Sequence, residues 1–194
     1  MEKMTLHLPK SIQVMFYDFC VANRDLPFKF ELYEHQIIIS MTGSETEIFN
    51  VAIIHALYSW NLLSKYGKVF GNGGAFTMPN GKILSPDAAA IALVRWAKIP
   101  LEDRKKFAPI EPDFVLEIRS QTDRIADLKK KMELWMSFGV LLAWLIDPIE
   151  EKIWVYKKNS ATVCIENFDG KITGEDVLVG LEIDLKEVFL SVKL

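Results

Sequence analysis

The chain has 194 residues, half of them apolar and a quarter charged, a balance that supports a buried core and argues against a disordered chain. A net charge of -3 with a pI near 5.7 excludes a broad basic field, so any contact with nucleic acid has to come from a local patch. Cys20 and Cys164 lack the spacing of a disulfide scaffold or a zinc site, and no apolar run approaches the roughly 18 residues that span a bilayer. Without a signal-like apolar segment at the N-terminus, a cytoplasmic protein is expected, and with no linker-like stretch, residues 1–194 are expected to form one domain.

Taken in chain order, Ser11 to Asn23 reads as a short helix on the core. Lys29 to Glu34 and Gln36 to Met41, rich in Ile, Phe and Tyr, read as a hairpin around Glu34-His35. Ser44 followed three residues later by Glu47 is a capping-box pattern, which predicts a helix carrying Ile48, Val51, Ala52, Leu57 and Tyr58 and ending near Tyr66-Gly67. Lys68 to Thr77 and Lys82 to Leu93 flank Pro79-Asn80-Gly81, a turn whose Asn-Gly pair tolerates positive φ, so two strands are expected there with Asp87 within or beside the second.

A charged connection from Arg95 to Pro112 leads into Phe114 to Ile118, an apolar run predicted to be a central strand. Asp123 to Phe138 follows as a helix with Ile125, Leu128, Met132, Trp135 and Met136 at helical spacing and Gly139 placed to close it. Val140 to Ile146, Lys152 to Tyr156 and Ala161 to Glu166 read as further strands, and the tail as a short strand or helix. This order predicts an α/β (α+β) fold with a mixed, partly antiparallel β-sheet flanked by helices.

Three residues stand out chemically. Along a strand, alternate residues share a face, so Glu117 lies with Val115 and Arg119 amid apolar neighbours and needs a compensating metal ion or cation. Lys131 falls on the inward stripe of its helix with Leu128, Met132 and Trp135, whereas Lys129 and Lys130 face outward; snorkelling to solvent is the alternative for Lys131. Ser85-Pro86-Asp87 presents an acid where a strand begins. Asp113 shares strand parity with Glu117 but lies about 13 Å away at roughly 3.3 Å per residue, so Asp87 is the better partner. His7, His35 and His55 have no ligand or triad spacing, no zinc site is expected, and the tryptophans read as core.

Together these pieces resemble the PD-(D/E)XK nuclease superfamily, and more closely its Uma-two family of putative restriction endonucleases. The resemblance rests on Gly43-Ser44-Glu45-Thr46, Ser85-Pro86-Asp87, Pro112 to Ser120, the Lys131-Met132-Glu133 helix with Gly139, and Trp144 to Pro148. It implies a restriction-endonuclease-like core in which Asp87 and Glu117 hold Mg²⁺ or Mn²⁺ and DNA is the substrate. Where the superfamily motif has lysine two residues after the acid, this chain has Arg119, which stays charged and cannot act as a base. The resemblance shifts the lysine role to Lys131, to orient a water and share developing charge, and leaves Arg119 for a phosphate contact. Glu45, in the first turn of its helix, either completes the site or complements the helix dipole.

The leading expectation is thus a metal-dependent endonuclease, acting as a homodimer or higher homo-oligomer without a membrane. The alternative is a catalytically inactive nuclease-fold protein that binds nucleic acid or serves in assembly.

Overall fold

A computed structural model describes residues 4–7, 15–41 and 43–192. Strand β1 (Met4–His7) precedes α1 (Phe16–Ala22), which covers the second part of the helix expected over Ser11 to Asn23; residues 11–14 lie outside the described residues. The hairpin forms as β2 (Lys29–Tyr33) and β3 (Gln36–Ser40), with Glu34 taking the positive φ of 56° that reverses the chain. Helix α2 spans Ser44–Ser64, with Lys65 in the left-handed conformation at its end. Its start departs from the capping-box expectation. Gly43 is the capping residue and no side chain caps the helix, while Glu47 instead accepts a hydrogen bond from the Asn72 amide at 3.0 Å.

Each of the next two expected strands breaks in two. β4 (Gly67–Phe70) and β5 (Phe76–Thr77) are separated by Gly71 to Ala75, while β6 (Ile83–Leu84) and β7 (Ala88–Ala92) are separated by Ser85-Pro86-Asp87. Pro86 has no N–H to give to a ladder, so the chain leaves one sheet at Leu84 and joins another at Ala88. β5 and β6 keep the predicted hairpin, with Gly81 at a φ of 82° in the turn. The charged connection holds two single-turn helices, α3 (Leu93–Trp96) and α4 (Leu101–Arg104).

β8 (Phe114–Ile118), α5 (Ile125–Ser137) and β9 (Leu142–Asp147) make a crossover unit whose two strands pair in parallel. β10 (Lys152–Lys157) and β11 (Val163–Glu166) extend the sheet, and β12 (Lys171–Thr173), β13 (Glu182–Asp184) and α6 (Leu185–Val192) complete the described chain. One large sheet has the order β1-β3-β2-β6-β5 and is antiparallel, the second has the order β11-β10-β9-β8-β7-β4 and is mixed, and β12 and β13 form a separate two-stranded antiparallel sheet.

The central strand β8 is buried along its length, and its side chains divide between two cores. Phe114, Leu116 and Ile118 pack with Phe49, Ile53 and Leu57 of α2 and Phe189 of α6. Val115 packs with Leu128, Met132 and Trp135 of α5 on the opposite face. A third, smaller cluster of Phe16, Leu32, Ile37 and Ile83 fastens α1 to the antiparallel sheet. No helix among the described residues is long and apolar enough to cross a membrane.

Candidate active site

The antiparallel pairing of β7 with β8 sets the site. Ala88 lies opposite Leu116, so the residue before Ala88 falls beside the residue after Leu116, and Asp87 meets the Glu117-Ile118 end of β8. The contact is direct: Asp87 N–H donates to the Leu116 carbonyl at 2.9 Å, and Ile118 N–H donates to Asp87 Oδ2 at 2.8 Å. Pro86 ends one ladder and Asp87 precedes the next, which places the carboxylate at the end of an interior strand instead of within it.

Glu117 is 3% exposed and shares its face of β8 with Val115, which turns it toward α5. Its Oε1 accepts from Lys131 Nζ at 2.8 Å and from the Trp135 indole N–H at 2.9 Å. Its Oε2 accepts no hydrogen bond from any described residue, and so is the oxygen left for another ligand. Burial pushes the Glu117 carboxyl above the usual carboxylate range, and the nearby Asp87 and Glu31 push the same way against Lys131 and Lys29.

Lys131 projects from the inward stripe of α5, and its ammonium is fully engaged. It lies 2.8 Å from Glu117 Oε1, 3.0 Å from Glu31 Oε1 and 3.1 Å from the Ser85 carbonyl. An ammonium has three N–H donors, and three protein acceptors match them. Burial disfavours the charge, but Glu117, Glu31 and Asp87 outweigh it, so the Lys131 pKa stands well above that of an ordinary lysine. Such a group holds its proton and offers a fixed positive charge beside Glu117. Lys129, on the same helix, instead lies 4.2 Å from the centre of the Trp154 ring.

Two further residues, which sequence reasoning missed, come from β2 in the other sheet. Glu31, 5% exposed, accepts from Ser85 N–H at 2.7 Å as well as from Lys131, tying the turn before Asp87 to α5. The Lys29 ammonium lies 3.1 Å from Asp87 Oδ1. The signal was present in the strand pattern: Lys29, Glu31 and Tyr33 share one face of a short strand otherwise built of Phe and Leu.

Asp87, Glu117, Lys131, Lys29 and Glu31 line one cavity of about 600 Å³, closed on one side by the first turn of α2 and on another by residues 120–123. Glu45 lines it too, but is exposed. Arg119 does not line it. The strand ends at Ile118, and beyond it the Arg119 guanidinium turns to Asp147 Oδ2 at 2.7 Å and to the Asp123 carbonyl at 3.3 Å. Asp147 is wholly buried, and a carboxylate in that position needs a cation, which accounts for where Arg119 goes. Asp113 serves the far end of β8, where it accepts from Ala92 N–H and binds Arg95.

A comparison with curated proteins gives no match. Among solved structures the chain is similar to a protein described as a putative nuclease belonging to DUF820, from Anabaena variabilis, with a TM-score of 0.71 and 22% identity over 87% of this chain and 96% of that one. At that identity the likeness concerns the fold, a mixed sheet flanked by helices of the restriction-endonuclease-like kind. A family model, Uma2, described as putative restriction endonuclease, matches residues 15–186, which include the whole mixed sheet, the antiparallel sheet apart from β1, and every residue of the cavity. The chain belongs to the Uma2 family of putative restriction endonucleases.

Proposed function

We propose that this chain is a divalent-metal-dependent endodeoxyribonuclease, hydrolysing phosphodiester bonds at the cavity that Asp87 and Glu117 share. One observation carries the reading: two carboxylates from adjacent strands converge beside two lysines in a cavity with room for a phosphodiester.

The donor set suits a hard cation. Asp87 and Glu117 supply carboxylate oxygens, and Glu117 Oε2 is unengaged by the described protein groups. No cluster of three or more His, Cys, Asp or Glu suited to a metal occurs among the described residues, which leaves further coordination to water and phosphate. That is the usual habit of Mg²⁺, held through one or two carboxylates, and Mn²⁺ accepts similar oxygen ligands. When bound, the cation would lower the pKa of a water and offset charge on a phosphoryl oxygen. The protein's own part is positional. Lys131 and Trp135 fix the rotamer of Glu117, Ile118 N–H fixes Asp87, and Glu31 fixes Lys131.

One observation favours a second reading, nucleic-acid binding without cleavage: both Asp87 oxygens already have protein donors, Lys29 and Ile118. The deciding experiment incubates the protein with plasmid, linear and single-stranded DNA in Mg²⁺, Mn²⁺ or EDTA, beside Asp87→Asn. Cleavage that needs the metal and falls at least about a hundredfold in Asp87→Asn, as expected when positioned charge is worth about 3 kcal/mol, supports the nuclease. DNA binding that persists without cleavage in any metal supports the second reading.

A further inference from the structure

Three cations belong to β2, α5 and the end of β8, and they differ in what they have left to give. Lys131 has its three donors matched by Glu117, Glu31 and the Ser85 carbonyl. Arg119 is committed to Asp147 and the Asp123 carbonyl and lies outside the cavity lining. Lys29 has one polar partner among the described residues, Asp87 Oδ1 at 3.1 Å, so two of its three N–H donors are unmatched by the described residues. Its side chain is 17% exposed and lines both the main cavity and a neighbouring groove that contains Arg24, Asn72 and Phe107.

The charge balance sharpens the point. Five carboxylates line the cavity, those of Glu31, Glu45, Asp87, Glu117 and Asp123, against the ammoniums of Lys29 and Lys131, an arrangement that repels an anion unless a cation faces it. With Lys131 enclosed between Glu117 and Glu31, the facing cation is Lys29.

We propose that Lys29 is the residue that contacts the substrate phosphate, its two unmatched N–H donors turned to the phosphodiester backbone where the strand passes from the groove into the cavity. The proposal rests on the phosphodiester reading above. It assigns the two lysines separate work: Lys131 positions Glu117 from within the protein, and Lys29 meets the nucleic acid. It also gives a reason why a chain of net charge -3 can bind a polyanion at this place, since the contact is one oriented ammonium and not a field.

Binding measured without cleavage tests this. Fluorescence anisotropy of labelled duplex and single-stranded oligonucleotides in EDTA, repeated over a range of salt concentrations, yields the slope of log Kd against log salt. Lys29→Gln keeps a hydrogen-bond donor for Asp87 while removing the charge, and Lys29→Arg keeps the charge. The duplex slope of Lys29→Gln should be shallower than wild type by about 0.9, equivalent to about 3.5-fold less weakening for a fourfold rise in salt. Lys29→Arg should restore the slope, and Lys130→Gln, on the exposed face of α5 and outside the cavity lining, should leave it unchanged. A role confined to holding Asp87 would alter cleavage without altering the slope, so an unchanged slope in Lys29→Gln overturns the assignment of Lys29 while wild-type binding preserves the phosphodiester reading. Absence of wild-type binding in EDTA overturns the assignment of Lys29, whereas the phosphodiester reading falls only if cleavage in Mg²⁺ or Mn²⁺ is absent as well.

Discussion

At the scale of single residues, the site is a chain of charges in which each sets the state of the next. Glu117 has to be ionised to hold a cation, yet burial, Asp87 and Glu31 all favour its protonated form, while Lys131 and Lys29 oppose them. Cleavage should therefore lose its rate on the acid side at a higher pH than an ordinary carboxylate would dictate. Glu31→Gln removes one of the charges that raise Glu117, so the acid limb of log kcat/KM against pH should move to lower pH; an unmoved limb would show that the limb belongs to another group. Glu117, Asp87 and Lys131 were legible in the sequence because each breaks a local pattern: an acid in an apolar strand, an acid after a proline, a lysine on an apolar stripe. Lys29 and Glu31 break a pattern too, but their meaning depends on a partner in the other sheet, and no local period reveals which strand lies opposite. Arg119 was legible as a charge and illegible as a contact, since its partner Asp147 lies 28 residues away on β9.

At the scale of elements, the sequence located the two long helices and most strands, but not the single-turn helices α3 and α4 and not always the inner faces. α2 was read through Ile48, Val51, Leu57 and Tyr58, yet the residues it buries are Phe49, Asn50, Ile53, Leu57 and Asn61, with Ile48, Val51 and Tyr58 each more than half exposed. Apolar residues surround this helix, so periodicity alone could not choose a face. α5 was legible because its apolar stripe is narrow and its opposite face carries Lys130 and Glu133. The split of two expected strands between two sheets was hidden for a different reason: alternation records that a segment is extended and not which sheet receives it. β4 depends on a close approach at Gly67, where an added Cβ would lie 2.0 Å from the Ile91 carbonyl oxygen. Gly67→Ala should therefore push β4 away from β7 and cost about 1–3 kcal/mol in chemical denaturation, the usual range for overpacking, whereas Gly43→Ala, with open space at its Cβ, should cost much less.

At the scale of the whole molecule, the mixed sheet supplies the two acids, α5 supplies one lysine, and the antiparallel sheet supplies Lys29 and Glu31. The antiparallel sheet is anchored in part by the small cluster of Phe16, Leu32, Ile37 and Ile83, while β8 and β9 lie between the two large cores. Regions with less buried apolar surface open at lower free energy. Amide hydrogen exchange should accordingly be faster in β2 and β3 than in β8 and β9, and Leu32→Ala should widen that gap; uniform protection across all four strands would refute the expectation. The meeting of the two sheets then makes the site a record of completed assembly. A molecule whose antiparallel sheet has come undone keeps Asp87, Glu117 and Lys131 on their own elements but loses both Glu31, which holds Lys131, and the ammonium that faces the cavity. If the proposed cleavage is the function, it should be lost in mild denaturant before helical content is, so that a partly opened copy is an inert one, its site dispersed by the order in which its parts let go.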